Sequence, residues 1–74
     1  MKNIGDMIPG EKGRVTKLTT PPNMRRRFLD IGLIENTNSE CVGKSPFGGL
    51  TAFLVRGAVI AIRDEDCSTV FISE

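Results

Sequence analysis

The run Asn23-Met24-Arg25-Arg26-Arg27-Phe28-Leu29-Asp30-Ile31-Gly32-Leu33 reads as a helix with both ends marked, and every other segment has to fit around it. Asn23 follows Pro21-Pro22 and is a good N-cap, because its side-chain oxygen can accept from the unpaired N–H groups of a first turn. Gly32 stands where the helix ends and can take the left-handed conformation of a Schellman motif. Leu33 and Phe28 then become the pair whose apolar contact accompanies that motif. Met24, Phe28 and Ile31 recur at helical spacing and Leu29 broadens the stripe, so one face is meant for a core.

The charges on this helix oppose its dipole. Arg25, Arg26 and Arg27 lie in the first turn, where the backbone N–H groups already carry partial positive charge, and Asp30 lies near the partly negative C-terminal end. An Arg26–Asp30 or Arg27–Asp30 pair recovers roughly 0.2–0.5 kcal/mol, in the less favourable orientation. Two readings stand: the arginines pair with carboxylates elsewhere or are solvated, or at least one is kept for a partner.

The 74 residues make one domain, 1–74, with a core near the lower limit for a chain without a metal or cross-link. A net charge of +1 argues against a protein built to neutralise nucleic-acid phosphates. Cys41 and Cys67 are too few and too far apart for a secreted disulfide framework and read as small core hydrophobes. The N-terminal Met1-Lys2-Asn3-Ile4-Gly5 precedes no apolar run, so neither a signal peptide nor a membrane span is expected. A cytoplasmic location follows.

Ile4, Met7 and Ile8, with Asn3 as a cap and Pro9-Gly10 behind, give at most one helical turn. Gly13–Leu18 reads as a strand with a bend or bulge near Leu18. Glu35-Asn36 marks a turn in which Asn36 takes the positive φ. Thr37–Gly43 is a weak strand, and Ser45-Pro46-Phe47-Gly48-Gly49 is an exposed reversal. Thr51, Phe53 and Val55 alternate inward, Gly57 closes that strand, and Ala58–Ile62 is an apolar run expected in the middle of the sheet. Asp64-Glu65-Asp66 supplies a cap for one helical turn that buries Cys67, and Val70–Ile72 ends the fold. Five short strands with one inserted helix suggest a mainly β, partly open small barrel.

Histidine is absent, which removes the commonest metal ligand and general base and rules out Ser-His or Cys-His nucleophiles. Neither Gly10-Glu11-Lys12-Gly13 nor Gly48-Gly49 matches a phosphate-binding loop, and the consecutive acidic residues lack the spacing of a calcium loop. An enzyme is not expected. The phenylalanines make no stacking platform for bases. Phe47 is the exception among them, an aromatic on a loop tip that either contacts a partner or folds back over the barrel mouth.

The ordered set Arg25-Arg26-Arg27-Phe28-Leu29-Asp30-Ile31-Gly32-Leu33, Ser45-Pro46-Phe47-Gly48, Val55-Arg56-Gly57 and Ile60-Ala61-Ile62-Arg63 resembles the FeoA domain family, small proteins of ferrous iron transport, over essentially the whole chain. The resemblance implies an SH3-like barrel of five strands with an inserted helix. It also implies a cytoplasmic accessory protein working with the membrane ferrous iron transporter FeoB, whose cytoplasmic part is a GTPase. A related domain serves some iron-dependent repressors as an interaction module. The family usually has Pro-Gly where this chain has Glu35-Asn36, and an apolar strand residue where it has Ser39. Its label of transition-metal binding finds no ligand spacing here, because only cysteines, methionines and carboxylates remain to coordinate ferrous iron.

The function expected is a protein-binding module that docks on the transporter and modulates uptake, with no cofactor, no nucleic acid and no membrane insertion. Arg25, Arg26, Arg27, Asp30 and Phe47 are the candidate contacts, the arginines by charge-assisted bonds to acidic groups. The alternative is a small iron-sensing or iron-carrying protein that uses Cys41, Cys67 and nearby carboxylates.

Overall fold

The computed structural model describes residues 2–73; Met1 and Glu74, the ends of the expected 1–74 domain, lie outside the described residues. Strands β1 (Lys2–Asn3), β2 (Lys12–Leu18), β3 (Asn38–Lys44), β4 (Leu50–Val55), β5 (Ala58–Arg63) and β6 (Val70–Ile72) form one antiparallel sheet in the order β1-β6-β2-β3-β4-β5. Helix α1 (Pro22–Ile31) is inserted between β2 and β3, and the single turn α2 (Asp64–Cys67) between β5 and β6. The architecture is mainly β and SH3-like, with β1 and β5 left as sheet edges rather than joined. All five expected strands are present, and Lys2–Asn3 adds a sixth. Two polar residues carry no periodic signal, so that strand is visible only through its pairing with β6.

Inward-facing side chains follow the period-two rule except where the ladder is broken. Thr51, Phe53 and Val55 of β4 are all buried. On β2, Val15 and Leu18 are both buried although three residues apart, which a regular strand forbids. A register shift between Val15 and Lys17 supplies the extra residue, so the bulge falls earlier than Leu18. A second shift lies between Cys41 and Gly43; Val42, next to buried Cys41, is exposed as alternation requires. Ile4 and Met7 seal the barrel from a short 3-10 turn, Ile4–Asp6, capped reciprocally by Asn3 and Asp6. Ile8 is exposed.

The apolar run Ala58–Ile62 is not central. β5 is an edge strand, and of its residues only Ile62 is fully buried. A continuous apolar run reads as doubly covered, but Ala58, Val59 and Ala61 here are exposed.

Helix α1 starts one residue before the expected cap. Pro21 is the N-cap, it makes no side-chain cap bond, and Pro22 opens the helix. Proline's fixed φ pre-organises the first turn and its missing N–H is one fewer donor to satisfy, so Asn23 is left exposed within the turn. The helix stop is as the sequence specifies. Gly32 has φ +86°, its N–H donates to Leu29 O at 3.1 Å, and Leu33 N–H donates to Phe28 O at 2.8 Å, the two bonds of a Schellman motif. Gly32 O accepts from Thr37 Oγ1 at 2.9 Å and from Ile34 N–H at 3.0 Å. A Cβ at Gly32 would lie 2.4 Å from Cδ of Arg56, so the arginine stem is laid directly on the glycine. Asn36, at φ +73°, carries the following turn.

Ser39 faces the core from β3 and its hydroxyl has no hydrogen-bond partner. Leaving a buried hydroxyl unsatisfied costs about 1–3 kcal/mol. Ser39→Ala removes that group with little loss of packing, and we expect thermal unfolding to shift upward by roughly 4–8 °C per kcal/mol recovered; calorimetry of the variant checks it, and an unchanged or lower midpoint would show that the hydroxyl is compensated.

Cys41 and Cys67 are free and fully buried. The Cys67 thiol lies 3.8 Å from Ile62 O, and burial, reinforced by the Asp64 carboxylate, pushes its pKa from 9.0 up to about 12. A thiol whose folded pKa is raised stabilises the fold below its unfolded pKa, and that contribution is lost as pH rises from 9.0 toward 12. The folded protein should therefore leave Cys67 unreactive toward a thiol reagent at pH 8, and stability should fall between pH 9 and pH 12 less steeply in Cys67→Ala than in the native chain.

Candidate functional site

Consecutive residues on a helix are set about 100° apart, and this divides the arginine triplet. Pro22, Arg25, Arg26 and Leu29 form one stripe of α1, and Met24, Arg27, Phe28 and Ile31 form another. Each stripe lines its own groove.

The first groove, about 630 Å³, is floored by Leu18, Leu33 and Ile34, walled by Leu29 and rimmed by Arg25, Arg26 and Glu35. Leu29 is 59% exposed, so it does not broaden the core stripe but forms the wall of an apolar depression. Leu33 at its base is fully buried and fixed by the Schellman bond to Phe28. The segment before the helix is tied down by Thr19 N–H, which donates to Thr69 O at 2.8 Å, and by Thr20 Oγ1 and Thr69 Oγ1, 2.8 Å apart. The connection from β2 into the helix is therefore anchored to the turn that precedes β6.

Arg25 braces this site. Its Nη1 donates to Leu18 O at 3.4 Å, and its Nη2 lies 3.7 Å from Glu35 Oε1. Both side chains are half exposed, so the pair contributes at most about 1 kcal/mol. The intrahelical pairs with Asp30 do not form, and among the described residues neither Arg26, Arg27 nor Asp30 joins an ion pair. Asp30 lines neither groove. Arg26 thus presents an unpaired charge on the rim of the apolar groove.

The second groove, about 450 Å³, lies between α1 and β5 and takes Arg27 and, from β5 and α2, Arg63 and Asp66. Phe47 is in neither. It stands 97% exposed at the tip of the β3–β4 hairpin, whose Ser45 Oγ accepts from Phe47 N–H at 3.3 Å. That hairpin reaches the far end of β5, where Asp64 N–H donates to Gly49 O at 2.9 Å. Arg63 is shared between the second groove and the hollow beside Gly48 and Gly49.

The structure brings Arg25 and Arg26 together, sets Arg27 on the opposite flank, and adds Leu18, Leu29, Leu33, Ile34, Glu35 and Arg63. The helical stripe Pro22/Arg25/Arg26/Leu29 was available in the sequence as an i, i+3, i+4, i+7 pattern. Glu35 and Leu18 come from other segments and had no local signal.

The donors for a ferrous ion do not fit one. Among the described residues no three of histidine, cysteine, aspartate and glutamate gather to hold a metal, and Cys67, with its raised pKa, resists the deprotonation that metal binding requires. No described helix is long and apolar enough to cross a membrane.

Comparison with known proteins gives the fold independent support. The FeoA domain model matches residues 2–74, and no curated protein matches the chain. Among solved structures, the FeoA protein from Chlorobium tepidum superposes with a TM-score of 0.90 at 20% identity, covering 96% of this chain and 68% of that one. An iron uptake regulatory protein (FeoA) gives 0.84 at 24% identity over 96% and 93%. A manganese-dependent transcriptional repressor bound to manganese gives 0.88 at 18% identity, but this chain spans only 35% of it. With the family model running from the first strand past the last, the chain belongs to the FeoA domain family.

Proposed function

We propose that this protein is an accessory factor of bacterial ferrous iron uptake that docks on the cytoplasmic part of the membrane transporter FeoB and modulates it, without catalysing a reaction itself. The observation that carries the reading is the first groove. It combines exposed Leu29 over a floor of Leu18, Leu33 and Ile34 with the unpaired Arg26 on its rim, the apolar centre and charged border of a protein-recognition site. Family membership supplies the iron-uptake context. Family names alone would not identify a partner, since SH3-like barrels serve many. Arg25 stays committed to Glu35 and Leu18, leaving Arg26 and Leu29 as the principal contacts, with Arg27, Asp30 and Phe47 on adjoining faces.

The test is an amide chemical-shift titration of the labelled chain with the soluble cytoplasmic part of FeoB from the same organism, with and without guanine nucleotide. We expect shifts centred on Leu18, Met24–Leu33 and Glu35. Leu29→Ala should weaken binding about tenfold or more while changing stability by no more than about 0.5 kcal/mol, as for an exposed residue. Shifts confined elsewhere, or a Leu29→Ala variant that binds as tightly as the native chain, would refute this assignment.

A further inference from the structure

The second groove has a property the first lacks. Ile60, Ala61, Ile62 and Arg63 all line it, and four consecutive strand residues, whose side chains alternate between faces, share a groove only where it follows the edge of the strand. The hydrogen-bond register agrees. β4 and β5 are joined by the two-residue loop Arg56-Gly57, with φ +52° and +84°, a type I′ turn. The Val55–Ala58 pair closing such a loop exchanges both hydrogen bonds, and bonded and unbonded pairs then alternate. Ile60 and Ile62 therefore bond to β4, whereas Val59, Ala61 and Arg63 turn their N–H groups outward, and Val59 and Ala61 their carbonyls as well. The Asp64 N–H bond to Gly49 O continues the same even-numbered series. Among the described residues no backbone bond outside the β4 ladder takes up Val59 or Ala61.

Natural sheets blunt such edges by shortness, proline or charge. The opposite edge, β1, is only 2 residues long. β5 has 6 residues, with no proline and no charge before Arg63, and Val59 is 63% exposed. The groove is apolar along its helical wall at Met24 and Ile31, with Arg27 and Arg63 set against the single carboxylate of Asp66. Arg27 has no ion-pair partner among the described residues, and Arg63 has only Glu65 at 3.8 Å, both about three-quarters exposed, a pair of little energetic weight.

We propose that the edge of β5 takes an extended peptide segment of alternating acidic and apolar residues from a protein partner as a seventh strand. Its backbone completes the bonds of Val59, Ala61 and Arg63, its apolar side chains pack beside Met24 and Ile31, and its carboxylates meet Arg27 and Arg63. A second copy of this chain is the poorer occupant, because its own β5 is flanked by its own α1 and would bring arginines to arginines. A single strand carries neither obstacle. This site is on the opposite flank of α1 from the groove assigned to transporter docking and does not depend on that assignment.

The probe is a capped octapeptide of alternating glutamate and valine, added to the labelled full chain. We expect a dissociation constant below about 1 mM, with amide exchange slowed at Val59, Ala61 and Arg63 and unchanged at Ile60 and Ile62. N-methylation of every second peptide residue should abolish binding in one of its two phases. Arg27→Ala and Arg63→Ala, both at exposed positions, should each weaken binding by up to about fivefold. The proposal is overturned by equal binding of a lysine–valine octapeptide, by absence of the alternating protection, by shifts confined to the Leu29 groove, or by self-association of the chain through β5 in place of peptide binding.

Discussion

The fold depends on how closely the β4–β5 hairpin approaches the end of α1. Gly32 is the contact point: its φ of +86° excludes ordinary residues at low cost, and the stem of Arg56 occupies the space a Cβ would need. Arg56 is itself held at φ +52° by the tight turn that sets the register of β4 with β5. One glycine therefore satisfies the helix-terminal bonds, admits the arginine, and brings Leu33 beneath the helix. The guanidinium also lies near the negative end of the helix dipole, a favourable placement for a cation.

From that contact the two flanks of α1 acquire different characters. On one side the helix leans on Leu18, Leu33 and Ile34 and encloses an apolar hollow rimmed by arginines. On the other it runs beside the open edge of β5. A partly open barrel leaves backbone groups unpaired at its rim, and the inserted helix runs beside them without bonding to them. Placing charge at a helix start against the dipole is locally unfavourable, yet it distributes two arginines to one groove and one to the other.

Much of this was legible in the residues. The helix stop at Gly32, the positive φ at Asn36, the inward set Thr51/Phe53/Val55 and the burial of both cysteines follow from local rules and are observed. The failures have a common cause, which is that sequence pattern reports apolarity and not the neighbour that covers it. Ala58–Ile62 reads as a central strand but lies at the edge, and Leu29 reads as core but walls a groove. Asn23 yielded its capping role because Pro21-Pro22 already pre-organised the turn. Which arginine is structural is not legible from the triplet itself, because Glu35, which braces Arg25, lies beyond the helix where no periodicity reaches.

The most direct measurement is a double-mutant cycle on unfolding free energy with Gly32→Ala, Arg56→Ala and the two combined, in which the φ strain at position 32 cancels. If the arginine stem locks the helix end, Gly32→Ala will cost less in the Arg56→Ala background than in the native one, with a coupling of at least about 0.5 kcal/mol. Additivity within about 0.3 kcal/mol would mean that Arg56 only lies near the glycine, and that something else sets the position of α1 and of both grooves beside it.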